Sequence, residues 1–285
     1  MFVTENKGNL TIRRMTSVGK RDKSLEMIDQ DIIDQIQKHA IFIDWNVAFE
    51  GKANGNQHLS RVVTIARFLA EKEGASREIC EAGAWLHDIG LMAGNDDDPA
   101  KIRAIAEEFL SHLPLDNEII KRRIADCVET HEGAREAVSI EAKIVHDADV
   151  LDKMGLLGVI RHTWKIVNLI KPDASPAEVF FTLQKHLKKR REKLYTATAK
   201  QLLSVLDESL YQFFETKTEA IETLRMIMGL ARDAHTADEI ARELLLKADH
   251  QILMYQVRIT DDILREWYAQ EETLEERELA LAGSA

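Results

Sequence analysis

The sequence predicts an all-α protein, and three observations carry that prediction. Only 13 glycines and 4 prolines punctuate 285 residues. The stretches between them are rich in Leu, Ala, Glu, Lys and Arg, the residues that lose least on entering a helix. Apolar residues recur near a 3.6-residue period, and no segment alternates as a strand would.

Taken in order, Ser24–His39 predicts a first helix, with Leu25, Ile28, Ile32, Ile33 and Ile36 along one stripe. Glu50–Asn56 is a loop by its Gly and Asn content. Leu59, Val62, Val63, Ala66, Leu69 and Ala70 then mark an amphipathic helix. Ser76 is an N-cap candidate for a helix over Arg77–His87 that stops at Gly90. Gly94–Pro99 is a loop whose Asp96, Asp97 and Asp98 suit a helix N-cap and a solvated face, and Ala100–His112 follows as a helix. After the turn Leu113–Asp116, a helix runs to about Thr130, with His112 as a helix-end residue. Ile140–Ile170 reads as one helix in which Gly155 and Gly158 admit a close neighbour. Lys171–Pro176 breaks the pattern. Charged helices are expected beyond it over Ala177–Arg191, Ala197–Gly229 and Thr236–Glu272. These breaks divide the chain into a tail, 1–23, a helical unit, 24–170, and a helical extension, 171–285.

Composition narrows the function. The net charge of −11 disfavours a nucleic-acid partner, because a phosphate backbone is held by clustered Lys and Arg. A small anionic ligand stays open, since a metal and a few local cations override the global field. No apolar run reaches the roughly 18 residues that a membrane span needs. The basic 1–23 tail lacks the apolar stretch of a secretory signal. Cys80 and Cys127 show no CxxC spacing and read as reduced core thiols of a cytoplasmic protein.

The chain holds two His-Asp pairs, His87-Asp88 and His146-Asp147, and context separates them. His87-Asp88 closes an apolar helix. His58 is in register with Val62, Ile65 and Leu69 and so looks inward. Asp149 borders an apolar face through Val145 and Leu156, where a carboxylate is costly unless paired or metal-bound. Asp147 lies about 200° from Asp149 around a helix. It shares its side with Lys143 and is expected to face water. A helical bundle brings such inward groups around one ion.

The stretches His58-Leu-Ser-Arg-Val-Val, Glu73-Gly-Ala, Ala84-Trp-Leu-His-Asp-Ile-Gly and Asp147-Ala-Asp-Val-Leu-Asp-Lys-Met-Gly resemble, in order, the HxxRV opening, EGAD-like turn, LHDIG box and DADxLDxxG closing helix of HD-superfamily metal-dependent phosphohydrolases. The resemblance covers about residues 54–165 and extends weakly over 194–224, where it is similar to the tail of small HD hydrolases. Two departures stand out. A Gly/Asn-rich loop at 54–57 replaces the usual acidic and His residues, and Leu91 and Met92 stand where some subfamilies place a catalytic acid.

The resemblance implies an HD helical bundle with additional C-terminal helices. It implies one divalent cation (Mn, Fe, Co, Ni, Zn or Mg) on His58, His87, Asp88 and Asp149, with the second Asp of the triplet as the last ligand. It further implies hydrolysis of a phosphate ester by a metal-activated water, the substrate being a small phosphorylated metabolite and a nucleotide foremost. Asp88 and His131 are the candidate catalytic groups; Arg61, Lys153 and Arg161 are the candidate phosphate contacts. Two alternatives stay open: a non-catalytic metal- or nucleotide-binding regulatory module, and a di-iron oxygenase needing two further histidines from His112, His131 and His146. The C-terminal helices are candidates for packing over the site, for homo-oligomerisation or for a partner.

Overall fold

The computed structural model describes residues 27–246 apart from 56, 95–97, 192 and 234. Among the described residues there are helices and no strand. Helices α1 (Gln30–Phe42), α2 (His58–Glu73), α3 (Arg77–Leu86), α4 (Pro99–Ser111), α5 (Glu118–Thr130) and α6 (Ile140–Asp152) form the first half. Helices α7 (Gly155–Lys165), α8 (Pro176–Arg191), α9 (Ala197–Glu215), α10 (Lys217–Arg232) and α11 (Ala237–Leu246) form the second. α2 is the hub of the first half. It packs on both α3 and α6, while α5 closes against α3 and α6 from the other side. α7 is the corresponding hub of the second half, against α8, α9, α10 and α11.

The apolar stripes explain this arrangement. Val62, Ile65, Ala66, Leu69 and Ala70 of α2 are at most 1% exposed and fill the space facing Ile79, Ala82 and Leu86 of α3 and Ile144, Val145 and Ala148 of α6. Each such buried Val, Leu or Ile side chain contributes about 1.5–3 kcal/mol relative to exposure. The core continues without a gap through Val179, Leu183, Leu224, Ile227 and Ile240 of the later helices. Helix starts are fixed by side chains as the sequence suggests. The Ser76 hydroxyl accepts the Ile79 amide, and Asp98 accepts from Ala100 and Lys101. Asp96 and Asp97 lie outside the described residues. Cys80 and Cys127 are free, buried thiols, and burial pushes both well above the usual thiol range.

Several boundaries differ from the sequence expectation, each for a local reason. α1 is described from Gln30 and continues past His39 to Phe42; Ser24 and Leu25 lie outside the described residues. The third helix ends at Leu86. His87–Ala93 tightens into a 3₁₀ turn, and the chain reverses at Gly94 with φ 99° rather than at Gly90. The expected single helix 140–170 breaks after Asp152, and α7 starts at Gly155 with φ 65°. A Cβ on Gly158 would lie 2.1 Å from the Lys153 carbonyl oxygen. Gly155 and Gly158 therefore make this turn possible, and the close neighbour is the chain's own backbone rather than another helix. The helix expected over 197–229 splits at Thr216, whose extended φ/ψ of −114°/108° separates α9 from α10. The last expected helix is described over Ala237–Leu246; its part beyond 246 lies outside the described residues. No described helix is long and apolar enough to cross a membrane.

Candidate metal centre

Three elements deliver side chains to one buried point. His58 is the first residue of α2, His87 opens the 3₁₀ turn after α3, and Asp149 lies in the last turn of α6. They are 3%, 0% and 0% exposed. His58 Nε2 and His87 Nε2 approach to 3.2 Å. Asp149 Oδ1 lies 3.4 Å from the first and 3.6 Å from the second. Asp88 completes the ring, with Oδ2 at 3.4 Å from His58 Nε2 and Oδ1 at 3.3 Å from His87 Nε2. Adjacent residues point about 100–120° apart in an α-helix or a 3₁₀ turn, and the longer His87 ring and shorter Asp88 carboxylate meet at a point between their two directions.

A neutral imidazole anchored through Nδ1 turns a lone pair toward this point. His87 Nδ1 donates to the Ala84 carbonyl at 2.7 Å, and His131 Nδ1 donates to the Val128 carbonyl at 2.7 Å. His58 Nδ1 is 2.8 Å from Asp152 Oδ2. A carbonyl oxygen only accepts, so His87 and His131 in the neutral form present a bare Nε2. Anchoring one ring nitrogen on an oxygen while the other faces inward is the support that metal-binding imidazoles receive. Asp149 Oδ1 is buried with no hydrogen-bond partner, and so is His131 Nε2. Unpartnered buried polar atoms are costly, and a cation is what an unpartnered carboxylate oxygen facing two imidazole lone pairs would accept. Atoms about 2.1 Å from a common ion stand roughly 3.0–3.4 Å apart, depending on octahedral or tetrahedral geometry. The observed edges of 3.2–3.6 Å fit that.

The electrostatics agree with the geometry. Burial opposes charge on His58, as does Arg161. The adjacent carboxylates of Asp149, Asp152 and Asp88 outweigh both and lift its pKa to about 9. The point demands positive charge. Burial also opposes charge on Asp149, yet Lys153, His58 and His87 hold it well below the usual carboxylate range. His87 and His58 do the same for Asp88.

The structure places the remaining candidates as follows. His131 caps α5 at 1% exposure, stacks edge-on against His87 at 5.2 Å, and has Nε2 3.9 Å from Asp88 Oδ1. Burial, then the charge of His87, lowers its pKa and keeps it neutral. Lys153 reaches Asp149 Oδ2 at 2.5 Å and Glu132 at 3.0 Å. Arg161 donates to Asp152 at 2.6 Å. Arg61 is 2% exposed and committed to Asp152, at 2.6 Å, and to Asp238. His112 is exposed at the end of α4, its Nδ1 donating to the Glu108 carbonyl, and takes no part.

The second His-Asp pair corrects the sequence expectation. Asp147 does not face water but is 0% exposed, and His146 is 1% exposed. Asp147 accepts the Tyr195 amide at 2.9 Å, the Thr196 amide at 2.7 Å and the Thr196 hydroxyl at 2.7 Å. It faces away from the ligand cluster, as the 200° separation requires, and the surface it meets is the N-terminus of α9. The lysine at its side of α6 gave no sign of a helix arriving from 50 residues later.

Sequence reasoning missed four acidic residues. Asp152 receives His58, Arg61 and Arg161 at once. Its position three residues after Asp149, on the same helix face, was the available signal. Glu132 holds Lys153, which lowers its pKa to about 2. Asp44, 4% exposed, shares a small cavity with Asp88 and Trp85; burial and then the Asp88 charge raise its pKa to about 6. An acid inside the apolar run Ile41–Val47 was the hint. Asp238 is 177 residues from Arg61, and nothing local marks it.

Part of the chain is similar to known proteins. Residues 56–154 match the family model of the HD domain. The chain is 34% identical over 100 residues to a ribonuclease Y of Treponema denticola, covering 33% of this chain and 18% of that protein. It is 30% identical over 122 residues to YpgQ of Bacillus subtilis, covering 39% of this chain and 57% of that protein. The chain thus spans about a fifth and just over half of these two relatives. A crystal structure of a Lactobacillus plantarum protein superposes with a TM-score of 0.51 at 25% identity, over 69% of this chain and 99% of that one. The crystal structure of Bacillus subtilis YpgQ superposes with a TM-score of 0.50 at 21% identity, over 70% of this chain and all of that one, a likeness of fold. The matched segment holds all four residues that converge here, and this stretch of the chain resembles an HD domain.

Proposed function

We propose that the protein is a metal-dependent phosphohydrolase that cleaves a small phosphorylated metabolite, with nucleotides the foremost class, using one divalent cation per chain. The observation that supports this most is the convergence of His58 Nε2, His87 Nε2 and Asp149 Oδ1, with Asp88 beside them and the unpartnered His131 Nε2 behind. A divalent ion on this set supplies Lewis acidity toward a phosphoryl oxygen and eases ionisation of water near neutral pH.

The chain's own groups have the following parts. Hydrolysis joins a water oxygen to phosphorus and releases the ester oxygen, with one proton passing from the water to the leaving group. The neutral His131 Nε2 accepts that proton and returns it, and Asp88, between His131 and the ligands, orients the water. Lys153 and Arg161 are half-buried and keep donors for phosphate oxygens, whereas Arg61 is buried and supports the site through Asp152. Lys165 joins this cationic edge. Its ammonium sits 5.3 Å from the centre of the Phe49 ring, and burial, then Lys153, lowers its pKa. Local cations of this kind admit an anion to a chain of net charge −11.

The test is a phosphatase screen of metal-loaded protein over nucleotides, sugar phosphates and a short RNA, with elemental analysis of protein kept from chelators. One relative is named a ribonuclease, which is why a phosphodiester belongs in the screen. Turnover of a small phosphate ester with about one metal per chain is expected. Two equivalents of iron with oxygen uptake, or cleavage of RNA alone, would overturn the reading.

A further inference from the structure

We propose that Asp238, on the C-terminal helix α11, is a positioning residue for the metal centre, acting through Arg61 and Asp152 on His58. The HD match ends at residue 154, so this carboxylate comes from outside the segment that supplies the ligands.

Both oxygens of Asp238 grip the first turn of α2. Oδ1 accepts from Arg61 Nη1, and Oδ2 accepts the Gln57 amide at 3.1 Å. Gln57 immediately precedes His58, and its own side chain caps nothing. A carboxylate on the free amide at a helix N-terminus also complements the helix dipole there. The loop before α2 packs on the same region, since a Cβ on Gly55 would lie 3.7 Å from the Thr236 methyl. From Arg61 the relay continues inward. Arg61 Nε donates to Asp152 Oδ1 at 2.6 Å, and Asp152 Oδ2 holds His58 Nδ1 at 2.8 Å.

The division of oxygens on Asp152 gives Asp238 its effect. Arg61 occupies Oδ1 strongly and reaches Oδ2 with Nη2 only at 3.5 Å, which leaves Oδ2 to His58 and Arg161. Arg61 is held in that pose because Nη1 is drawn off by Asp238. Without that second carboxylate, a guanidinium that is 2% exposed keeps, among the described residues, Asp152 as its paired counter-charge. It would then swing toward a bidentate pairing with Asp152 and compete with His58 for Oδ2. His58 would lose the hydrogen bond that fixes its ring, while its ligating nitrogen stayed intact.

The inference rests on the metal-binding half of the proposed function and not on the phosphatase half. The experiment measures Co(II) affinity by chelator competition and the Co(II) ligand-field spectrum in the full-length protein, beside metal-free thermal melts. Asp238→Asn keeps an acceptor for Gln57 but loses the charge on Arg61. It is expected to weaken Co(II) binding about tenfold, the low end for partners behind a ligand, and to shift the visible bands. Asp238→Glu should restore both. Glu239→Gln removes a charge from the same turn that only caps its own helix at Thr236, and should change neither. Arg61→Lys, whose compact ammonium lacks the planar fork that spans Asp152 and Asp238, should reproduce the Asp238→Asn spectrum if that variant proves too unstable to load. An unchanged affinity and spectrum in Asp238→Asn with a lowered metal-free melt would overturn the inference, since Asp238 would then only fasten α11. Weakened binding without phosphatase activity in any form would sink the proposed reaction and leave this inference standing. A wild-type protein with no Co(II) affinity would sink both.

Discussion

Asp147→Ala is the substitution on which sequence and structure disagree most, so its outcome is the sharpest test of the fold. A solvated carboxylate at this position would be worth about 0.5 kcal/mol or less. In the structure Asp147 instead accepts the Tyr195 amide, the Thr196 amide and the Thr196 hydroxyl. The hydroxyl keeps its other role, accepting the Ala199 amide, and loses little. The two backbone N–H groups lose their acceptor, at about 1–3 kcal/mol each. Relief of the desolvation of the carboxylate itself offsets part of the sum, which leaves roughly 3–4 kcal/mol. At about 2–4 °C per kcal/mol for a chain approaching this size, the metal-free melt should fall by roughly 10 °C. Urea titration followed by circular dichroism gives the free energy, and Co(II) competition on the folded protein gives the metal affinity. The affinity should stay within a few-fold of wild type, because Asp147 faces α9 and not the ligands. A stability loss below about 1 kcal/mol would refute the packing of α9 on α6. Loss of the metal with little loss of stability would mean that Asp147, and not Asp149, is the ligand.

Two further predictions address the centre and its surroundings. His87→Ala and Asp149→Ala are each expected to abolish stoichiometric metal binding, whereas His131→Ala should retain the metal and lose about 10²–10⁴ in turnover, as loss of a proton-transfer group does; loss of metal from His131→Ala would make it a ligand. His162 of α7 and His186 of α8 stack at 3.6 Å, and burial followed by neighbouring charges, Arg190 among them, depresses their pKa values to about 4 and about 3. Unfolded imidazoles titrate near 6.5 and these do so far lower, so the unfolded state binds the extra protons. The pair's contribution is therefore complete above pH 6.5 and lost as pH falls through 4 toward 3. A His162→Gln/His186→Gln double variant should flatten the acid limb of metal-free stability, and a limb parallel to wild type would refute the assignment.

How much was legible follows from where each residue's partners lie. The helix over 58–73, the Ser76 and Asp98 caps and the buried stripe of α2 are set by neighbours within one or two turns, so periodicity and capping chemistry reveal them. His58 and Asp149 could be recognised as inward because each lies in register with apolar residues of its own helix. The break between α6 and α7 escaped notice because its apolar pattern continues across it. What ends the helix there is the Gly155 backbone at positive φ and the Lys153 carbonyl lying where a Gly158 side chain would be.

Asp147, Asp152, Arg61 and Asp238 show the limit of local reading. On a linear chain each is a charged residue on a helix, and the default for such a residue is a solvated face. By itself the sequence determined the helical class, the stripes that bury α2, α3 and α6, and the four side chains that meet at one point. Those rest on short-range periodicity and on a motif order that one chain displays. Only the tertiary structure decided which of the other charges are buried, that α9 covers Asp147, and that α11 reaches back to Arg61. A buried charge is tolerated only where a counter-charge or donor arrives, and here most of those partners come from 48 to 181 residues away.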